Sequence, residues 1–168
     1  IVDRNNLIPE MSESDNSGIA TLAVSPPPSA DLMMDSVNIG FDINEPSEGD
    51  QVSINATVLN KGDVDAEDVI VQFVDVTDRS STPIGGPQSI DLVPAGGSGT
   101  TQITYDTTGL SGDRKIEVIV DPSNFIAEAS ERNNKATKTL EMVAPAAPNL
   151  LIDSDNIGFS PAAPRSGD

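Results

Sequence analysis

The chain contains no cysteine, no histidine and no tryptophan, and has one tyrosine and four phenylalanines in 168 residues. Without Cys, no disulfide holds the fold, and thiol catalysis and iron–sulfur ligation are excluded; without His, so are Ser-His-Asp chemistry and the usual zinc sites. Basic residues are scarce as well: 9 Lys and Arg stand against 27 Asp and Glu, a net charge of −18. Nucleic acid and anionic membrane surfaces repel such a chain, which excludes both as electrostatic partners. No apolar run approaches the roughly 20 residues needed to cross a bilayer. At 36% hydrophobic the chain can nevertheless bury a core, so it is not a disordered polyanion.

What the chain does contain is a copy of part of itself. Shifted by 118 positions, residues 1–50 align with 119–168 without a gap and with 22 identities in 50. Ile1-Val2-Asp3 falls on Ile119-Val120-Asp121, Thr21-Leu22 on Thr139-Leu140, and Asn38-Ile39-Gly40-Phe41 on Asn156-Ile157-Gly158-Phe159. Two Pro-rich stretches, Ser25–Ala30 and Ala144–Pro148, also align, and such stretches favour extended, semi-rigid spacers. The expected organisation is therefore the C-terminal strands of a preceding repeat over 1–24, a linker at 25–30, one complete repeat over 31–143, a linker at 144–148, and the N-terminal strand of a following repeat over 149–168. The flanking fragments lack any counterpart of 51–118, so exchange between molecules cannot complete a unit from them. The expectation is a window on a longer tandem array, whose amino terminus and signal peptide lie elsewhere.

Within the complete unit the apolar period is two. Val52, Ile54, Ala56 and Val58 alternate with Ser53, Asn55 and Thr57; Val69, Val71 and Phe73 follow the same rule, thickened by Ile70 and Val74. Ile103 and Tyr105, then Ile116, Val118 and Val120, continue the pattern. A last strand is expected over Thr137–Met142, a broken first one over Asp31–Asp35 and Ile39–Phe41, and a short connector over Gln88–Val93. Turn signals separate them at Glu48-Gly49-Asp50, Lys61-Gly62-Asp63, Gly85-Gly86-Pro87, Ala95-Gly96-Gly97 and Ser111-Gly112-Asp113. Seven or eight strands at this spacing predict an all-β, immunoglobulin-like antiparallel β-sandwich, repeated every 118 residues, with a Val/Ile/Leu core.

The succession Asp31-Leu32, Glu45-Pro46-Ser47-Glu48-Gly49-Asp50, Val58-Leu59-Asn60-Lys61-Gly62-Asp63 and Asp121-Pro122 through Glu128, Glu131 and Asn133-Asn134 resembles the CARDB domain, the cell-adhesion-related domain found in bacteria. The Asn60–Asp63 turn and the Glu131–Asn134 segment are its most specific parts. The resemblance implies an immunoglobulin-like module, often in tandem, on a secreted or surface-anchored prokaryotic protein, with a non-catalytic structural or adhesive role.

Three places invite a site. The turn Asp63-Val64-Asp65-Ala66-Glu67-Asp68 offers carboxylates to calcium but lacks the EF-hand spacing, and its plainer reading is a solvated turn. Asp121, Glu128, Glu131, Asn133 and Asn134, echoed by Asp3, Glu10, Glu13, Asp15 and Asn16, read more simply as Asx side chains fixing a long connection. Asn55-Ala56-Thr57 is the only N-glycosylation sequon, and strand alternation points Asn55 outward. No acid pair sits beside a nucleophile, a phosphate loop or an aromatic sugar platform, so no catalytic residue, cofactor-binding residue or metal ligand is assigned. The expected function is a structural repeat of an extracellular or cell-surface protein, forming a stalk or filament. Its expected partners are neighbouring repeats or identical chains, with a cell-surface or glycan partner for adhesion. The alternatives are an accessory binding module of a secreted enzyme and a calcium-dependent adhesin.

Overall fold

A computed structural model describes residues 2–12, 14–144, 150–153, 155 and 157. Most of the second Pro/Ala stretch and of the expected following repeat lies outside the described residues. The named elements among those described are nine β-strands and two 3-10 turns, β1 and β5 being two residues each.

The strands are β1 (Leu32–Met33), β2 (Ile39–Phe41), β3 (Gln51–Asn60), β4 (Ala66–Asp75), β5 (Thr82–Pro83), β6 (Gln88–Val93), β7 (Ser98–Asp106), β8 (Arg114–Val120) and β9 (Lys135–Leu140). All named pairings are antiparallel, in two sheets. In the first, β3 is central, with β7 on one side and β1 and β2 on the other. In the second, β4 has β5 and β6 on one side and β8 on the other, and β9 closes the margin.

Period-two patterning explains the layering. In β3 the apolar set Val52, Ile54, Ala56 and Val58 is fully buried, and Gln51 and Asn55 face solvent. In β4 the left-handed backbone of Asp68 (φ 52°) turns Glu67 and Asp68 out together. The phase is thereby reset so that Val69, Val71 and Phe73 point into the core. These meet Ile116, Val118 and Val120 of β8, Leu32 and Ile39 in a single aliphatic cluster. The core begins at Ala30, which is 3% exposed.

β9 starts two residues earlier than expected. The carbonyl of Asn134 receives the Val120 N–H (2.7 Å), which fixes the pairing with β8 from Lys135 onward. Beyond Leu140 the chain leaves the sheet: Met142 N–H donates to Asp113 Oδ1 (3.2 Å) and Val143 N–H to the Pro46 carbonyl (2.9 Å).

One buried polar group ties the two sheets. Asp75 closes the inward phase of β4, and its Oδ2 receives Tyr105 Oη from β7 together with Arg114 Nε (2.9 Å) and Nη2 (2.6 Å) from β8. Its Oδ1 takes the N–H (2.9 Å) and hydroxyl of Thr77. Burial pushes the Asp75 carboxyl up, but these hydrogen bonds outweigh it and hold the group below its ordinary range. Burial, reinforced by the bond to Asp75, pushes the Tyr105 phenol up to about 12. Lys138 of β9 makes a second tie, donating to the Ile39 carbonyl with its ammonium 5.4 Å from the Phe41 ring centroid.

Candidate functional site

The two motifs most specific to the sequence lie about 70 positions apart, and the fold brings both to the end of the sandwich where the Pro-rich segment arrives. There they hold the backbone of Ser29–Met34 from two sides.

On one side is the turn after β3. Asn60 is fully buried. Its Oδ1 accepts the N–H groups of Asp31 (3.1 Å) and Gly62 (3.0 Å), and its Nδ2 donates to the carbonyls of Val64 (2.8 Å) and Val93 (3.1 Å). All four hydrogen bonds available to a carboxamide are thus made, which is why an amide suits this position. Lys61 N–H reaches the Asp31 carbonyl (2.7 Å) and Asp63 N–H the Ser29 carbonyl (3.0 Å). Gly62 lets the strands close: a Cβ there would lie 2.2 Å from the Ser29 carbonyl oxygen and 2.6 Å from the Ala30 carbonyl carbon.

On the other side is the long β8–β9 connection. Asp121, buried with φ 41°, receives Phe125 N–H (3.1 Å) on Oδ1 and Ile126 N–H (2.8 Å) on Oδ2, so its carboxylate organises the loop in place of a helix or strand. Glu128 Oε2 accepts the Leu32 N–H and its Oε1 accepts Asn134 Nδ2 (2.9 Å). Asn133 donates to Asp31 Oδ1 (3.0 Å) and its carbonyl accepts Met34 N–H (2.8 Å). Ala129 N–H bonds the Ala30 carbonyl (2.8 Å) within a parallel bridge between Ala30 and Glu128.

Burial is the main force that raises the Glu128 carboxyl, to about 7; the hydrogen bonds from Leu32 and Asn134 oppose it and the nearby Glu131 and Asp121 add to it. The Oδ1 atoms of Asn133 and Asn134 are buried acceptors without a donor. A cleft of about 600 Å³ runs beside the clamp, walled by Pro26, Pro27, Lys61, Asp63 and Ala127.

Of the other candidates, the acidic turn touches this cluster through the backbone of Asp63 and Val64 and not through its carboxylates. Asp63, Glu67 and Asp68 are exposed, and Asp65 spends an oxygen on the Ala95 N–H (2.7 Å). Among the described residues no group of three or more His, Cys, Asp or Glu side chains is arranged to hold a metal ion. Asn55 is exposed at the centre of the outer face of the first sheet, in register between Gly40 and Gln102. The Asp121 loop recurs upstream. Val2 N–H donates to the Asn16 carbonyl (3.0 Å) as Val120 does to Asn134, Asn6 N–H to Asp3 (3.0 Å) as Asn124 does to Asp121, and Leu7 and Ile8 N–H to the Asp3 carboxylate (2.9 and 2.8 Å) as Phe125 and Ile126 do to Asp121. The backbone angles agree as well: Asp3 and Asn6 have φ 44° and 49°, Asp121 and Asn124 41° and 49°.

The profile of the CARDB family matches residues 29–138, which begins at the clamp and ends within β9. The chain belongs to the CARDB family. Solved CARDB structures share its fold. The CARDB domain of a Pyrococcus furiosus protein, solved in complex with di-metal ions, superposes with a TM-score of 0.58 at 17% identity over 71% of this chain and 99% of that one. A domain of a Methanosarcina acetivorans protein, provisionally named a cell surface protein, gives 0.53 at 19% identity over 68% and 93%. A Geobacter metallireducens protein gives 0.52 at 25% identity over 66% and 95%. No curated protein matches. Among the described residues no helix is long and apolar enough to cross a membrane.

The sequence named the residues of the CARDB clamp without showing that they meet. Asp75 and Arg114 were not singled out, and Tyr105 was read only as an inward residue of a strand. The signal was there: continuing the inward phase Val69, Val71, Phe73 by two places lands on an acid.

Proposed function

We propose that this CARDB unit is a non-catalytic structural repeat of an extracellular or cell-surface protein, joined head to tail with others into a stalk or filament. The observation that carries the reading is the recurrence, 118 positions upstream, of the Asp121 loop with the same four hydrogen bonds and the same left-handed residues. An Asx loop of this kind serves a sandwich by covering one end of it. Its apolar flank supports the same view: Val2, Ile8 and Leu22 are 70%, 61% and 84% exposed, whereas their counterparts Val120 and Leu140 are fully buried and Ile126 is half-buried. On this reading Val2, Ile8 and Leu22 belong to the inward face of a preceding sandwich end.

The clamp gives the joint its character. Flexible spacers let units tumble, but here the incoming chain is bonded to the unit from Ser29 onward, and only Ser25–Pro28 remains as a short Pro-rich hinge. Neighbouring repeats and identical chains are the partners this arrangement calls for. On the same reading Asn55 is a glycan acceptor in a secretory pathway that reads the sequon, with its side chain pointing to solvent.

Electron microscopy and small-angle scattering of the full-length protein test the proposal. The expected result is an elongated particle with a regular repeat of one sandwich length. A compact particle, or an open reading frame without further CARDB units upstream of residue 1, defeats it. Melts in calcium and in magnesium at equal ionic strength test the calcium-dependent alternative: a calcium-specific stabilisation favours an adhesin whose joints are set by the ion.

A further inference from the structure

The two sheets present four margins, and three are protected against pairing with another chain. The margin of β1 and β2 is two short strands interrupted by the 3-10 turn Ser36–Asn38. That of β5 and β6 contains Pro83 and Pro87, which offer no N–H. β9 carries Lys135 and Lys138. Short strands, proline and lysine are the devices by which sheet proteins avoid edge-to-edge association.

β7 has none of them. Its nine residues pair with β3 in unbroken register, from Gln51–Asp106 to Leu59–Ser98, and among the described residues with no other strand. It lacks proline, lysine and any bulge, and Ser98–Tyr105 is free of charge in a chain that is 21% charged. Thr100, Gln102 and Thr104 are exposed on its outer face, and alternate N–H and C=O groups along an antiparallel strand point away from its one neighbour.

We propose that the β7 margin pairs antiparallel with β7 of a second copy of this chain, making one continuous sheet across two molecules. A two-fold axis through Gln102 gives a register without conflict. It sets Thr100 opposite Thr104, Gln102 opposite its own equivalent, and Ser98 opposite Asp106, so no acid faces an acid and hydroxyl pairs fall together on the outer face. On a molecule of net charge −18 this uncharged strand is where two copies approach with least repulsion. An edge contact is small beside a standard protein interface, so one pair is weak and forms best where salt screens the remaining charge. The pairing is a property of the single unit; its accumulation along parallel stalks rests on the tandem reading, through multivalency.

The absence of cysteine makes the test direct. Single-cysteine forms of the 168-residue chain are oxidised mildly in about 1 M salt, where the Debye length is about 3 Å. Gln102→Cys is expected to form disulfide dimers at least ten-fold faster than Thr137→Cys, an exposed position on the lysine-bearing β9 margin. An equimolar mixture of Thr100→Cys and Thr104→Cys is expected to cross-link faster than either alone. All four positions are exposed, and a thermal melt of each variant checks that it is folded. The proposal is overturned if Gln102→Cys is no faster than Thr137→Cys, if the mixture has no advantage, or if the unsubstituted chain sediments as a monomer at millimolar concentration in 1 M salt. An elongated full-length particle with none of this cross-linking rejects the lateral pairing while leaving the tandem reading intact.

Discussion

Glu128 accepts the backbone N–H of Leu32, a residue 96 positions upstream. The carboxylate therefore joins the last loop of the CARDB sandwich to its first strand, and it does so with a group whose titration is displaced to about 7 by burial.

That displacement gives a pH signature. Because the folded value lies above the ordinary 4.5, the folded state holds a proton that the unfolded chain releases between the two. The stability contributed by the proton is fully present below about pH 4.5 and is lost as pH rises through about 7. The expected size is roughly 1 kcal/mol, the screening of an incompletely buried carboxyl being allowed for. Urea titrations at pH 5.5 and 8.0 on the native chain and on Glu128→Gln check it: the difference between the two pH values should shrink in the variant.

Asn60 and Gly62 separate two roles at the clamp. Asn60→Ala leaves two carbonyls and two N–H groups without partners inside the unit and should cost about 2–4 kcal/mol, read from the urea midpoint. Gly62→Ala forces the Ser29–Asp31 backbone aside while leaving the sandwich core untouched. Its expected effect is faster proteolysis between Pro26 and Asp31, with a smaller loss of about 1–3 kcal/mol.

Tyr105→Phe removes one of the bonds that hold Asp75 and should cost about 1–2 kcal/mol near neutrality. The Asp75 carboxyl titrates below its ordinary value of 3.8, so its contribution is present above that value and is lost as pH falls through the lower folded one. The difference between native and variant is therefore expected to narrow in melts as pH falls below 3.8. A second loss is expected at the alkaline end: the native phenol's contribution fades between its ordinary 10.0 and about 12, and the variant shows no such decline.

The strands were largely legible because a period of two survives wherever one face is buried: β3 falls where the alternation places it, and the outward Asn55 follows from the same phase, while β6 occupies the Gln88–Val93 span expected of the connector. The closure of Asn60 and Glu128 on Ser29–Leu32 was not legible. It depends on pairings between β1 and β3 and between Ala30 and Glu128, and no local pattern encodes contacts separated by 29 and 96 positions. The early start of β9 escaped for a related reason, since Asn134 sets it by bonding across to Val120.

The charge of −18 makes salt a lever on the whole fold. Self-repulsion among exposed carboxylates weakens as the screening length shortens from about 30 Å at 0.01 M to about 3 Å at 1 M. The melting temperature is expected to climb between those two conditions in sodium chloride. A flat profile means that the acids are already neutralised by neighbours in the native state.

The bonds from Ser29 to Leu32 also decide how the unit meets tension along the polypeptide. A pull arriving through Pro28 reaches the partners of Ser29, Ala30 and Asp31 before the two residue pairs of β1, and Glu128 holds Leu32 within β1 itself. The weakest strand of the sandwich is thereby shielded behind its best-anchored segment. Resistance to extension is set by the Asn60 turn and the Glu128 loop and not by β1, so single-molecule stretching of the native chain should report on those two side chains first.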